Sequence, residues 1–119
     1  KRHRNAMFYD KFLSSEFLKT FITLPERPRN YCETYALYMI LCKKRNQLKL
    51  YLESNGIEVK IHYPKPLHLQ KASFSLGYKK GMFKTAEYQA ANLLTLPVHQ
   101  FLEKKHLSYV VKKIHDFYQ

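Results

Sequence analysis

The sequence predicts an α/β or α+β sandwich, a small sheet covered by helices. Residues 57–63 alternate apolar Ile57, Val59, Ile61 and Tyr63 with polar Glu58, Lys60 and His62, the period-two pattern of a half-buried strand. The C-terminal stretch has helical period. Leu107, Val110, Val111, Ile114, Phe117 and Tyr118 share one face, and Lys104, Lys105, Lys112, Lys113 and Asp116 cover the other. Helix and strand patterns interleave along the rest of the chain, in the order helix, strand, helix, strand, helix, short strand, helix.

Residues 1–18 read as the first helix, because Phe8 with Phe12 and Tyr9 with Leu13 are i,i+4 pairs separated by charged residues. Residues 24–30 form a loop, since Pro25 and Pro28 exclude helix and ladder pairing. Residues 31–42 read as a strand buried on both faces, apolar on both parities from Tyr35 onward; periodicity alone also allows a buried helix. Tyr31, Tyr35 and Tyr38 are its core and rim aromatics. A polar helix follows over 43–54 with Leu48, Tyr51 and Leu52 as its inner stripe, and Asn55-Gly56 stops it.

The strand at 57–63 ends at Pro64 and Pro66. Residues 67–77 suit a short helical turn, and Gly77 and Gly81 bracket the basic loop Tyr78-Lys79-Lys80. Thr85 caps a short helix that runs to Asn92, with Glu87 well placed near its N-terminus. Leu93 to Leu96 form a short strand stopped by Pro97, and the terminal helix completes the chain.

A chain of 119 residues suits one domain and buries a core without metals or disulfide staples. An apolar share of 45% and an aromatic share of 15% exclude a disordered chain. No run approaches the roughly 18 apolar residues of a membrane span. The first residue is Lys, not Met, as expected of a chain that starts inside a longer protein. Cys32 and Cys42, placed in one strand, would lie about 33 Å apart at roughly 3.3 Å per residue, too far for a disulfide. Two reduced thiols fit a cytoplasmic protein. The net charge of +12 favours anionic partners. The lysines are scattered, which weakens a nucleic-acid reading.

The chain lacks a glycine-rich phosphate loop, a Gly-x-Ser-x-Gly elbow, zinc-spaced Cys or His pairs and any cluster of carboxylates. The usual marks of a self-contained enzyme are therefore absent. What stands out is the segment 56–70. The alternation puts His62 opposite Ile61 and Tyr63, and the two prolines stiffen the chain that carries His68 and Gln70. Imidazoles at a strand end suit contacts to phosphate or sugar oxygens, or proton movement near neutral pH. A histidine on a polar strand face is ordinarily just solvated, so spacing alone does not decide. His3, His99, His106 and His115 take structural readings.

The run His62-Tyr63-Pro64-Lys65-Pro66-Leu67-His68-Leu69-Gln70 resembles the C-terminal signature of the DegT/StrS sugar aminotransferases. So do Gly56-Ile57, Leu76-Gly77-Tyr78, Ala86-Glu87 and the run Leu94-Thr95-Leu96-Pro97-Val98-His99, in order. Asn5-Ala6, Tyr9-Asp10 and Leu13 are similar to the helix leaving the large domain, Arg45 and Leu48 to the family's Arg-x-x-Leu helix, and Tyr109 to Phe117 to its terminal helix. Met82, and Lys84 after Phe83, depart from the acidic residue and the Phe-Pro pair usual there.

The resemblance implies a mainly antiparallel sheet, as in the C-terminal domain of fold-type-I aminotransferases, with residues 1–119 as that single small domain. It implies that the aldimine lysine, the aspartate on the pyridine nitrogen and the ring-stacking aromatic lie upstream, in a large domain. No catalytic residue then falls in this chain, and the fragment alone is inactive without bound cofactor. The complete enzyme would use pyridoxal phosphate to move an amino group, usually from glutamate, onto a nucleotide-linked keto-sugar in polysaccharide biosynthesis, working as a homodimer. His62, Tyr63, His68 and Gln70 would line the substrate site. The competing reading is a free-standing basic module that binds nucleotide-sugars or nucleic acid.

Overall fold

The structure is a computed structural model that describes residues 1–28 and 30–119. Its centre is a three-stranded antiparallel sheet in the order β1-β2-β3, built from β1 (Ile22–Thr23), β2 (Tyr38–Cys42) and β3 (Leu93–Leu96). Tyr38 pairs with Leu96 and Ile40 with Leu94, while Ile22 pairs with Cys42. Helices α1 (Arg2–Leu13), α3 (Arg45–Ser54) and α5 (Lys104–Tyr118) pack together, and the short α2 (Glu16–Lys19) leads into β1. The expected sandwich with an antiparallel sheet is therefore present.

Burial explains why these segments take these roles. Ala6, Tyr9 and Leu13 line one face of α1, Leu48 and Leu52 one face of α3, and Leu107, Val110 and Ile114 one face of α5. They close over Tyr38, Ile40, Leu94 and Leu96 of the sheet. Removing this much apolar surface from water drives the fold at roughly 25 cal/mol per Å². Gly56 ends α3 with φ +73, a left-handed turn that glycine adopts without steric cost, and Ile57 N–H then donates back to the Leu52 carbonyl.

Side chains join distant parts of the chain. Asn5 Nδ2 donates to the His99 carbonyl at 2.9 Å, and Tyr9 donates its phenol proton to the Pro97 carbonyl at 2.9 Å. Both fasten α1 to the segment after β3. Arg27 spans the loop after β1. Its guanidinium donates to Asp10 at 3.3 Å and to Glu33 at 2.8 Å, and it lies 5.2 Å from the Tyr35 ring centroid. Burial alone would lower the Arg27 pKa, but the bonds and charges of Asp10 and Glu33 outweigh it and raise it.

Several expectations are corrected. The first helix does not run to residue 18. It breaks after Leu13, and Ser15 caps α2 by accepting from Leu18 N–H. The strand expected over 31–42 is confined to Tyr38–Cys42, with Tyr35 in a left-handed conformation at φ 51 and Tyr31 exposed. Tyr35 and Tyr38 do join the core. Arg29, in the expected loop over 24–30, lies outside the described residues.

The strand expected over 57–63 shrinks to one bridge, in which Lys60 exchanges both backbone hydrogen bonds with Thr95 on the free edge of β3. Ile57 and Val59 are buried as the alternation requires, but Tyr63 faces solvent at 70% exposure. Residues 61–63 form no further bridge to β3 among the described residues, and Pro64 beyond them has no N–H to donate. Residues 67–76 form two 3-10 turns, Leu67–Leu69 and Lys71–Leu76. Helix α4 (Lys84–Asn92) begins before Thr85, and no side chain caps it. Cys32 is exposed and Cys42 buried, and neither forms a disulfide.

Candidate functional site

The chain from 63 to 83 leaves the sheet edge after the Lys60 bridge and returns at α4. No residue from 63 to 89 belongs to the buried apolar core. Tyr63, Leu67, Phe74, Leu76, Met82 and Tyr88 are all exposed. A monomer surface seldom gathers so many large apolar side chains unless something docks there. The arm is held to the body by polar contacts at its two ends.

At the near end, His62 Nδ1 lies 2.9 Å from Thr95 Oγ1, a hydroxyl on β3 that is itself buried. At the far end, His68 is buried at 7% exposure, and its Nε2 lies 3.0 Å from Glu87 Oε1 on α4. The same carboxylate oxygen accepts from Gly81 N–H at 2.7 Å. The Gly81 amide, and then His68, hold the Glu87 carboxyl below the usual carboxylate range. The Phe83 ring packs on the His68 imidazole with centroids 4.8 Å apart. Gln70 Nε2 donates to the Lys65 carbonyl at 3.3 Å, closing the turn after Pro66.

Between these two ends lies a groove of about 360 Å³. Its wall includes all four residues singled out in the sequence, His62, Tyr63, His68 and Gln70, and Ala86, Ala90 and Leu93 also line it. The two imidazoles thus share one concave surface. Tyr63 forms its exposed rim, with its ring edge-on to His62 at 5.7 Å between centroids. His62 also borders a second groove of about 510 Å³, lined by Pro97, Phe101, His106 and Tyr109 among others.

Sequence reasoning missed Glu87 and Phe83 as part of this site. The spacing between His68 and Glu87 has no periodic signature, because it is set by how the arm folds back on α4. Two of the other histidines make contacts within the fold. His106 Nδ1 accepts from Glu103 N–H in a capping box at the start of α5, and His115 stacks on Phe17 at 5.1 Å.

The groove does not suit a pyridoxal ring by itself. Its one lysine, Lys65, lies 5.7 Å from the Phe74 ring centroid, over the aromatic face. The neighbouring carboxylate, Glu87, is already committed to His68 and Gly81. Among the residues that line or adjoin the groove, the lysine is thus engaged with an aromatic face and the carboxylate with two donors.

A model of the DegT/DnrJ/EryC1/StrS aminotransferase family matches residues 1–115. A pleiotropic regulatory protein of Geobacillus stearothermophilus is 34% identical over 119 residues, covering 100% of this chain and 32% of that protein. A dTDP-3-amino-3,4,6-trideoxy-alpha-D-glucose transaminase of Streptomyces venezuelae is 27% identical over 81% of this chain and 25% of its own length. Among solved structures, S. venezuelae DesV in complex with a ketimine intermediate superposes with a TM-score of 0.91 at 25% identity, over 99% of this chain and 31% of that one. A DegT DnrJ EryC1 StrS aminotransferase from Brucella abortus does so with a TM-score of 0.84 at 31% identity, over 98% of this chain and 30% of that one. The chain thus spans a quarter to a third of the length of these relatives. Its sequence and its fold agree on one assignment, and the chain belongs to the DegT/DnrJ/EryC1/StrS aminotransferase family.

Proposed function

We propose that this chain is the C-terminal small domain of a pyridoxal-phosphate aminotransferase that acts on a nucleotide-linked keto-sugar in amino-sugar and polysaccharide biosynthesis. The observation that carries this reading is the gathering of His62, Tyr63, His68 and Gln70 on one concave groove. Their task is to position sugar or phosphate oxygens; they break no bonds. The cofactor, held by the large domain, supplies the electron sink for amino transfer. The exposed apolar arm over 63–83 supports docking against that domain, which would supply the missing wall. The net charge of +12 supports attraction of a diphosphate substrate. Glutamate is the expected amino donor, a homodimer the expected assembly and the cytoplasm the expected compartment.

On this reading the isolated 119-residue chain neither binds the cofactor nor transaminates. The test has two halves. The pure chain, incubated with pyridoxal phosphate and glutamate, should show no protein-bound cofactor absorbance and no turnover. The same residues grafted in place of the matching segment of the S. venezuelae transaminase should restore sugar transamination. Turnover by the chain alone, or a folded chimera that binds cofactor but is inert, would sink the proposal.

A free-standing basic module is the second reading, favoured by the net charge together with exposed Tyr31, Tyr63 and Phe101. It requires oligonucleotide affinity that falls steeply with salt. Weak binding with little salt dependence counts against it.

A further inference from the structure

The buried contact between the arm and α4 fixes more than the path of the chain. Glu87 Oε1 meets His68 Nε2 at 3.0 Å and receives the Gly81 N–H at 2.7 Å. An ionised carboxylate offers only acceptors, so the contact requires the imidazole proton to sit on Nε2. A neutral imidazole has one donor and one acceptor, and the remaining lone pair is therefore on Nδ1. Among the described residues Nδ1 has no hydrogen-bond partner, while the one fully buried side-chain polar atom left unpaired is Asn5 Oδ1. His68 Nδ1 thus keeps contact with solvent, in a side chain that lines the groove.

We propose that Glu87 is a positioning residue that fixes His68 as a hydrogen-bond acceptor, through Nδ1, for a hydroxyl of the substrate. The identity of the ligand rests on the aminotransferase reading above. A lone pair at Nδ1 attracts hydroxyl protons and repels ionised phosphate oxygens. His68 therefore reads the sugar ring and leaves the diphosphate to other groups. The Phe83 ring packs against the imidazole, tilted 51° with centroids 4.8 Å apart. The Gly81 amide keeps the carboxylate in place, so the loop, the imidazole and α4 act as one unit. This gives the Ala86-Glu87 pair of the sequence a role beyond favouring a helix N-terminus.

Nitrogen-15 NMR of the histidine side chains tests this on the chain itself, at pH ~8.5, about two units above the ordinary imidazole value. The expected result is a protonated Nε2 with an observable N–H signal for His68 and an unprotonated Nδ1. Glu87→Gln keeps an acceptor oxygen and should keep that signal; Glu87→Ala should lose it to exchange. An Nδ1–H tautomer in the parent chain, or a signal unmoved by Glu87→Ala, overturns the inference. If Glu87→Ala fails to fold, the parent tautomer and the Glu87→Gln spectrum still decide. A second arm uses the chimera with the S. venezuelae transaminase, whose large domain supplies the other wall, and titrates a nucleoside diphosphate glucose against the sugar-free nucleoside diphosphate. The sugar-bearing ligand alone should shift the Nδ1 resonance. Equal shifts from both overturn the hydroxyl assignment. Silence from both, with the expected tautomer present, overturns the groove as a sugar site and the hydroxyl role with it, and so separates that failure from a wrong tautomer.

Discussion

The phenol of Tyr38 donates to Asp10 Oδ1 at 2.6 Å, tying the first residue of β2 to the third turn of α1. Arg27 grips the same carboxylate and lies 5.5 Å from the Tyr38 ring centroid. Burial first, and the Asp10 carboxylate second, push the Tyr38 phenol above its ordinary range. Tyr38→Phe should cost about 0.5–1.5 kcal/mol, the loss of one hydrogen bond. Asp10→Ala should cost more, about 1–3 kcal/mol, because it leaves the Tyr38 hydroxyl without its acceptor. Urea unfolding of the single and double variants should show less than additive losses, since the residues share one network. Additive losses would show that the contact is not coupled.

The two thiols should differ sharply in reactivity. Cys32 is exposed, whereas Cys42 is 2% exposed on β2, and burial pushes its pKa up to about 12. Thiolate is the reactive form. A colorimetric thiol reagent should titrate one equivalent rapidly in the native chain and the second only after denaturation. Two fast equivalents would place Cys42 outside the core.

Glu87 predicts a pH dependence with a defined sign. Its folded pKa is depressed, mainly by the Gly81 N–H and then by His68. The stability it contributes is therefore present above the unfolded carboxyl value of about 4.3 and lost as pH falls through the lower folded value. Between neutral pH and pH ~3 the urea midpoint of the parent should fall further than that of Glu87→Gln, and the two curves should converge at the acid end. Parallel curves would show that the carboxylate charge does nothing here.

Elements with sustained periodicity were legible from the residues. The α5 stripe, the Leu48–Leu52 face of α3, the Gly56 stop and the β3 run ended by Pro97 all stand where local pattern puts them. β1 has only two residues, too few to show a period, and exists because Ile22 pairs with Cys42. The alternation over 57–63 marked burial of Ile57 and Val59 correctly, yet overstated pairing, because alternation reports which side faces the core and says nothing about whether a neighbour strand is present. The sequence pattern extends the first helix past Leu13 because Ser14 and Ser15 are weak breakers, and only the cap from Ser15 to Leu18 N–H shows the restart. The four groove residues were found through family likeness, with proline stiffening as support. Glu87 escaped because its role depends on the arm folding back on α4.

The account stands on the groove being one wall of the sugar site, and alanine substitution there separates function from folding. Tyr63 is 70% exposed, so Tyr63→Ala should leave unfolding stability within about 0.5 kcal/mol. The decisive measurement is kcat/KM for the nucleotide-linked keto-sugar in the chimera with the S. venezuelae transaminase, comparing the parent graft with Tyr63→Ala and with His62→Ala/Tyr63→Ala. The predicted result is a loss of about tenfold or more for Tyr63→Ala, at least about 1.4 kcal/mol of transition-state stabilisation, and a larger loss for the double variant, with cofactor absorbance intact. Unchanged kcat/KM in both folded, cofactor-loaded variants would contradict the account.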